Sequence, residues 1–210
     1  KTKDDVNRKL ALPERSSEHD LILDQAKLPI IFYDEMQVIG PSGTGRELMD
    51  SLLGRAMEHP IELDSQMRVK AGKRYLTYVA DILANRRPSR QSFGDDYPFA
   101  LYENFGDFND KFEEVWSRHS LSRMVAGFAW PWITKNGKPG YDIEIDGVAK
   151  RWNASQVNWV GRGMGESDKA QGFAHEVGCI HSIQGYDLSY VFVILGNDIT
   201  FDVESGRIEV

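Results

Sequence analysis

The sequence predicts an α/β fold in which a parallel sheet is flanked by helices and carries a small irregular β insertion. Strand-like apolar segments alternate with segments of helical periodicity, and this alternation is typical of parallel sheets. Residues 191–195 are apolar at every position and rich in β-branched side chains, as in a strand buried on both faces. Residues 134–172 are rich in glycine and contain short strand-like patches, which indicate the insertion.

The predicted elements follow one another along the chain. We expect a short helix at 21–26 and amphipathic helices at about 46–57, 72–85 and 106–118, where apolar residues recur on one helical face. We expect strands at 29–33, 61–63, 99–102, 123–130, 177–180 and 191–195. A final hairpin is predicted at about 199–210, around the turn residues Ser205 and Gly206.

The composition is that of an ordinary globular protein, with 41% hydrophobic and 27% charged residues. The apolar runs are far shorter than the ~20 residues that cross a membrane, so we expect no membrane partner. A single cysteine, Cys179, excludes an internal disulfide and favours a reducing, cytoplasmic location. The net charge of −7 disfavours strong nucleic-acid binding by the surface as a whole. Because the chain starts at Lys1, we expect it to be a piece of a longer protein.

The stretch 176–196 reads EVGCIHSIQGYDLSYVFVILG and places a polar segment, residues 181–187, between two apolar runs. Open α/β sheets bind their ligands in loops at the carboxyl ends of strands. A polar segment with a glycine that directly follows a predicted strand is therefore a candidate site. Possible metal ligands lie in and next to this stretch, at His175, Glu176, Cys179 and His181. They lack the spacing of a zinc site, so we expect no metal centre there.

Two features near residue 40 point toward nucleotide chemistry with different strength. Asp34 and Glu35 follow an apolar strand-like run, as do carboxylates that face Mg²⁺-bound phosphates, although solvated acids at a strand end give the same pattern. Residues 40–47, GPSGTGRE, nearly spell a phosphate-binding loop. Arg46 and Glu47 stand where that loop needs lysine and a hydroxyl, so we interpret the segment as a turn and a helix start.

The tryptophans allow two interpretations. An aromatic platform for bases is one, and packing in the core or at a sheet edge is the commoner role. The four concerned are Trp130, Trp132, Trp152 and Trp159.

Several motifs resemble the Schlafen group 3-like DNA/RNA helicase domain family, a superfamily 1-type motor with two RecA-like lobes. They are IFYDEMQ, LDSQMRV, RMVAGFAWPW, RWN and the long stretch 176–196, and the resemblance extends over about 4–202. It implies a RecA-like parallel sheet, in which residues 1–58 end the first lobe and residues 59–210 form most of the second. ATP lies between the lobes of such motors, and nucleic acid lies across their top.

The resemblance also implies roles for single residues. Asp34 and Gln37, in a D-x-x-Q motif, would sense the γ-phosphate, and Arg68 would contact it as a catalytic residue. Nucleotide-binding roles fall to Gln66, Gln184, Gly185 and Asp187, with Asp187 where related motors have a ribose-binding acid. Nucleic-acid-binding roles fall to His181, Ser182 and Tyr186. An arginine and fixed amide donors suit the stabilisation of a transferring phosphoryl group.

The implied function is that of an ATP-dependent helicase or translocase, with ATP and Mg²⁺ as cofactors and DNA or RNA as partner. The missing N-terminal lobe of the same protein would be a further partner. No working phosphate loop, DEAH-type motif or final arginine motif is present, so we expect little ATP hydrolysis from these residues alone. One alternative is a regulatory or nucleic-acid-binding module derived from a motor. Another is a metal-dependent nuclease that uses Asp34 and Glu35.

Overall fold

The chain divides into two compact units, Lys1–Asp64 and Ser65–Val210. The computed structural model describes residues 18–34, 45–55, 60–63, 65, 67–86, 93–95, 97–154, 158–162 and 173–209. The predicted domain boundary after residue 58 lies close to this division, and the assignment of the two parts to motor lobes stays a prediction.

The first unit contains two described helices, α1 (Glu18–Gln25) and α2 (Arg46–Arg55). Helix α2 begins at Arg46, as predicted, and buries Met49 on its apolar face. The strand predicted at 29–33 is wrong, because this segment forms no strand in the described part of the chain. Phe32 is 83% exposed. An apolar run becomes a strand only where a neighbouring backbone completes its hydrogen bonds.

The second unit contains two long helices, α3 (Gly72–Leu83) and α4 (Phe105–Arg118), close to their predicted positions. Helix α4 begins after Asn104, whose side-chain oxygen accepts a 3.0 Å hydrogen bond from the backbone N–H of Asp107. This side-chain cap satisfies one of the free N–H groups at a helix start. The strands predicted at 61–63 and 99–102 are wrong, since both segments are irregular and exposed.

Seven short strands lie in the second unit, within the residues that the structure describes. They are β1 (Ser122–Ala126), β2 (Ile143–Ile145), β3 (Val148–Trp152), β4 (Glu176–Val177), β5 (Tyr190–Ile194), β6 (Thr200–Asp202) and β7 (Arg207–Glu209). Strand β1 pairs in parallel with β5, and β3 pairs in parallel with β4 and antiparallel with β2. Strands β6 and β7 form the predicted hairpin.

A parallel bridge between Val125 and Gly178 joins β1 to the end of β4. Two backbone hydrogen bonds of 2.9 Å accompany it, from Ala126 N to Gly178 O and from Gly178 N to Met124 O. Strands β5, β1, β4 and β3 therefore run in the same direction, side by side. Their carboxyl ends lie along one edge, which we call the carboxyl edge.

The core lies between this strand assembly and helix α4. Strand β1 is buried at every position, and Phe112 and Trp116 of α4 contribute large side chains to the same cluster. Trp152 and Trp159 are also buried in it, which confirms the packing interpretation for these two tryptophans.

Strand β5 differs from the prediction that both of its faces are buried. Phe192 packs against the core, but Val191 and Val193 are 47% and 53% exposed. An apolar composition predicts a strand, but it does not show whether another element covers the second face of that strand.

The predicted α/β class is confirmed. The sheets are small, and their RecA-like form stays a prediction. The insertion does contain the expected antiparallel pair, β2 and β3, but β3 also pairs with β4 and so belongs to the main strand assembly. None of the helices in the described residues is long and apolar enough to cross a membrane.

Candidate functional site

The polar segment predicted as a site leaves the carboxyl edge directly after β4. The strand predicted at 177–180 ends at Val177, and a short helix, α5 (Ile180–Ile183), follows Cys179. Cys179 and His181 therefore both follow β4 and do not belong to that strand. Cys179 is buried, as expected of a core thiol, whereas His181 is exposed.

Ser182 holds the start of α5. Its hydroxyl lies 3.3 Å from the backbone N–H of Cys179, which donates to it, and 3.4 Å from the thiol of the same residue. The backbone N–H of Ser182 donates to the Cys179 carbonyl at 2.9 Å. The Ser182 hydroxyl, predicted to contact nucleic acid, is thus engaged in shaping the segment that presents His181.

The chain turns at Gln184 and Gly185 after α5. Gly185 has a φ of 87°, a conformation that side-chain-bearing residues rarely adopt. The backbone N–H of Tyr186 closes the turn on the carbonyl of Ile183 at 3.1 Å. Gln184 and Gly185 are exposed here, where the amide side chain and the backbone of the turn face solvent.

Tyr186 connects the candidate segment to the insertion. Its hydroxyl donates to Oδ1 of Asn158 at 3.3 Å, and Asn158 has a left-handed backbone with φ of 59°. The adjacent Trp159 lies against Gly178, where a Cβ atom would be 2.5 Å from the indole ring. The turn at 158–161 thus contacts the chain on both sides of α5, at Gly178 before it and at Tyr186 after it.

Sequence reasoning missed a charged cluster beneath this turn. Glu176, which the sequence suggested only as a metal ligand, accepts from Nε1 of Trp159 at 2.9 Å and forms a 3.2 Å ion pair with Arg162. Arg123 is fully buried, and its guanidinium donates to the carbonyls of Val160 and Arg162. An arginine within an otherwise apolar strand was the available signal for such a role.

Two predicted site residues that are far apart in sequence meet in the second unit. Nε of Arg68 lies 3.0 Å from Oδ1 of Asp187. Their side chains are 57% and 80% exposed, so the ion pair is in contact with solvent. A solvated pair of this kind contributes little to stability.

The predicted residues do not all gather at one point. Gly178 aligns with Val125 near the end of β1, whereas Ser189 N donates to Leu121 O, just before β1, at 3.0 Å. The segment between them therefore runs back along roughly four residues of β1, or about 13 Å. His181 is near the carboxyl edge, and Asp187 is near the opposite end.

The remaining predicted residues belong to the first unit or lie outside the described residues. Asp34 lies in the first unit and is exposed. Gln37, Gln66 and Glu35 lie outside the described residues. Within the described ranges, no group of three or more His, Cys, Asp and Glu side chains is arranged to hold a metal ion.

The exposed groups suit parts of a nucleotide. The guanidinium of Arg68 presents N–H donors that match phosphate oxygens, and the Asp187 carboxylate is an acceptor that matches ribose hydroxyls. Gln184 adds an amide beside a glycine turn. These donor and acceptor types match the phosphate and sugar groups of a nucleotide.

Comparison with known proteins places the chain in a family. A stretch of 160 residues, 70% of this chain, is 26% identical to an uncharacterized protein of Saccharomyces cerevisiae and covers 34% of that protein's length. No solved structure matches the chain. The family model described as "Schlafen group 3, DNA/RNA helicase domain" matches residues 10–210. The chain therefore belongs to the Schlafen group 3 DNA/RNA helicase domain family.

Proposed function

We propose that this chain supplies part of the ATP cleft and part of the nucleic-acid surface of an ATP-dependent DNA/RNA helicase or translocase. In this proposal residues 59–210 form most of a second RecA-like lobe, and residues 1–58 end the first. The complete protein is then a cytoplasmic NTP hydrolase that uses ATP and Mg²⁺. The residues present here hydrolyse little ATP by themselves.

The ion pair between Arg68 and Asp187 carries the proposal. The resemblance assigns Arg68 to the γ-phosphate and Asp187 to the ribose of one nucleotide, and the fold brings these two side chains within 3.0 Å. Nothing in the local sequence of either motif requires this contact. Two groups with predicted roles on one ligand are therefore neighbours across a long sequence separation.

The electrostatics of this pair suit exchange with a nucleotide. An exposed ion pair contributes about 0–1 kcal/mol, because water screens it and two long side chains lose freedom. A triphosphate carries several charges and accepts paired hydrogen bonds from one guanidinium, which is a stronger interaction. Phosphate oxygens can therefore replace Asp187 as the partner of Arg68 and release the carboxylate for the ribose.

The direction of the strands supports the nucleic-acid part of the proposal, because His181 and not Asp187 lies near the carboxyl edge. Strands β1, β3, β4 and β5 are parallel, and the segment with His181 leaves the carboxyl edge, where α/β proteins bind ligands. Gln66, Gln184 and Gly185 complete the proposed nucleotide contacts, and His181, Ser182 and Tyr186 the nucleic-acid contacts. Asp34 and Gln37 are the proposed γ-phosphate sensors of the first lobe.

ATP binding and turnover by the complete gene product test this proposal. The variants are Arg68→Ala and Asp187→Asn, each measured with and without single-stranded nucleic acid. Arg118→Ala is the matched control, since Arg118 is also exposed and forms a 3.2 Å ion pair, with Glu114. We expect Arg68→Ala to lower kcat by about 10²-fold, as does the loss of one transition-state donor, and Asp187→Asn to raise the KM for ATP.

The control variant should retain the wild-type rate. If Arg68→Ala also retains it, then Arg68 does not contact the transferring phosphate and the proposed cleft is wrong. If the complete protein neither binds nor hydrolyses ATP, the motor function itself is contradicted, and a regulatory module derived from a motor becomes the better description.

A further inference from the structure

A loop at the carboxyl edge combines aromatic and cationic side chains. Residues 127–141, which we call the edge loop, connect the carboxyl end of β1 to the start of β2. Because β2 is antiparallel to β3, it begins at the edge where β1, β3 and β4 end. The edge loop therefore lies along the same edge from which the segment with His181 leaves.

The composition of the edge loop is unlike that of the chain. Its sequence, GFAWPWITKNGKPGY, contains four aromatic residues, two lysines and no acidic residue, whereas the whole chain carries a net charge of −7. A locally cationic surface on an acidic protein attracts polyanions to that place in particular.

Cations and aromatic rings are paired in space as well as in sequence. The ammonium group of Lys135 lies 5.1 Å from the ring centre of Trp132, and the guanidinium of Arg151 lies 5.8 Å from that of Tyr141. Lys135 and Arg151 are exposed, and Tyr141 is 47% exposed. Each pair thus places a positive charge beside an aromatic ring at the surface.

A third ring is exposed on the edge loop. Phe128 is 63% exposed, and its ring stands edge-to-face on buried Trp152, with the centres 4.6 Å apart. Trp132 packs against the same indole with ring centres 5.7 Å apart. Trp152 itself is fixed by a 3.1 Å hydrogen bond from Nε1 to the Ala126 carbonyl.

Buried Asp142 fixes the course of the edge loop. Its carboxylate accepts from the backbone and hydroxyl of Thr134, at 2.7 and 2.6 Å, and from the backbone of Trp152 at 2.8 Å. These bonds join the middle of the loop to the sheet. The exposed rings and cations are therefore held in place before any ligand binds, which lowers the entropic cost of binding.

We propose that the edge loop, together with Arg151, is a binding platform for single-stranded DNA or RNA. Phe128 and Tyr141 stack on unpaired bases, and Lys135, Lys138 and Arg151 contact phosphates, which is the combination that single-strand-binding surfaces use. Bases inside a duplex are already stacked on one another and do not present their faces to such rings. The proposal rests on the nucleic-acid half of the proposed function and is independent of ATP turnover.

Fluorescence anisotropy with the full chain tests this platform. The probes are labelled oligothymidylate, oligouridylate and a duplex of the same length, each titrated at several salt concentrations. The variants are Phe128→Ala, Tyr141→Ala and the double variant Lys135→Gln/Lys138→Gln. The matched controls are Phe201→Ala and Lys111→Gln, since Phe201 is 62% exposed and the Lys111 side chain is 44% exposed, both outside the loop.

We expect single strands to bind more tightly than the duplex. Each aromatic variant should weaken single-strand binding by about tenfold, since stacking contributes ~1–3 kcal/mol per base. The double lysine variant should lower the magnitude of the slope of log K against log salt by about 1.4, which is ~0.7 for each phosphate of a single strand that a lysine no longer neutralises. Both controls should bind like the wild type.

Three results would overturn the platform. They are equal binding by the edge-loop variants and the controls, a preference for duplex, and no binding of single strands by the wild type. Thermal melting separates weakened binding from unfolding, and Tyr141→Ala serves if Phe128→Ala unfolds the protein. A protein that binds single strands through this loop but hydrolyses no ATP would contradict the motor function and leave the platform standing.

Discussion

Arg68 and Asp187 form a solvated ion pair, with Nε and Oδ1 3.0 Å apart, between the two segments that carry the motifs LDSQMRV and HSIQGYD. Since the two side chains are 57% and 80% exposed, water screens their attraction. The pair therefore joins the two segments in space with little effect on folding.

The substitutions Arg68→Ala and Asp187→Asn should each change the free energy of unfolding by less than about 1 kcal/mol. Urea unfolding at low and high salt measures this change, and the small effect should shrink further as salt rises. Asp110→Asn, an exposed position on α4, is the control. A destabilisation well above this limit would mean that the pair is structural, and the activity changes proposed for these variants would then have to be reassigned to folding.

Gly178→Ala should destabilise the protein by about 1–3 kcal/mol, because it overpacks the core. The new Cβ would lie 2.5 Å from the indole ring of Trp159, which is only 4% exposed. The control is Gly127→Ala, where no atom lies within 4 Å of the added carbon. Equal unfolding free energies for the two variants would contradict the close packing of Trp159 on Gly178.

Asp142→Ala should cost about 1–3 kcal/mol, because buried N–H groups of Thr134 and Trp152 lose their acceptor. Burial alone would raise the pKa of Asp142, but the hydrogen bonds from Thr134 and Trp152 outweigh it and lower the pKa below its usual value. A carboxyl group with a lowered pKa stabilises the fold above the unfolded pKa of ~3.9, and this contribution is lost as the pH falls through the folded pKa.

Acid titration of stability measures that contribution. The difference in unfolding free energy between the wild type and Asp142→Ala should be largest near neutral pH and should narrow in acid. Asp110→Asn again provides the comparison, since its difference from the wild type should stay small at each pH. A constant difference between the wild type and Asp142→Ala would show that the ionised carboxylate is not what holds the loop.

Lys150 gives a prediction at alkaline pH. It is fully buried, its ammonium group donates to Oδ1 of Asn109, and burial lowers its pKa despite the opposing attraction of Glu113. Between the lowered folded pKa and the unfolded value of ~10.4, the unfolded chain binds the additional proton. The free energy of unfolding should therefore rise with pH in this window.

Lys150→Met should abolish the rise of the unfolding free energy with pH. Lys73→Met, at an exposed position, should retain this rise. Measurement should end below pH ~10, the ordinary pKa of tyrosine. Burial and the neighbouring Tyr75 raise the pKa of Tyr97 to about 12. Above pH ~10 the unfolded chain therefore loses a proton that the folded state retains, and the free energy of unfolding falls. If the unfolding free energy of Lys150→Met rose with pH by the same amount as that of the wild type, the pH dependence would belong to another group.

The sequence predicted best where one element is defined by its own periodicity. Helices α3 and α4 lie close to their predicted positions, and so do strand β1 and the final hairpin. In these segments the spacing of apolar side chains reports directly which face is buried. Short apolar runs such as 29–33 and 61–63 lack that information, and they form no strand in the described residues.

The candidate site was predicted only in part for a similar reason. The motifs identified Arg68, Asp187 and the segment around His181 from local sequence. They gave no sign that Asn158 contacts Tyr186, or that Ser182 holds the start of α5. The contact between Asn158 and Tyr186 depends on side chains that become neighbours only after distant strands have paired.

By itself the sequence determined the α/β class, the main helices, the family and the residue types of the candidate site, because each follows from local pattern or motif. The tertiary structure decided which of these residues meet. The parallel bridge between Val125 and Gly178 aligns β1 with β4. This alignment forms the carboxyl edge, from which both the edge loop and the segment with His181 leave. Parallel pairing joins segments distant along the chain through backbone hydrogen bonds, which are alike for every residue and leave no mark in local sequence.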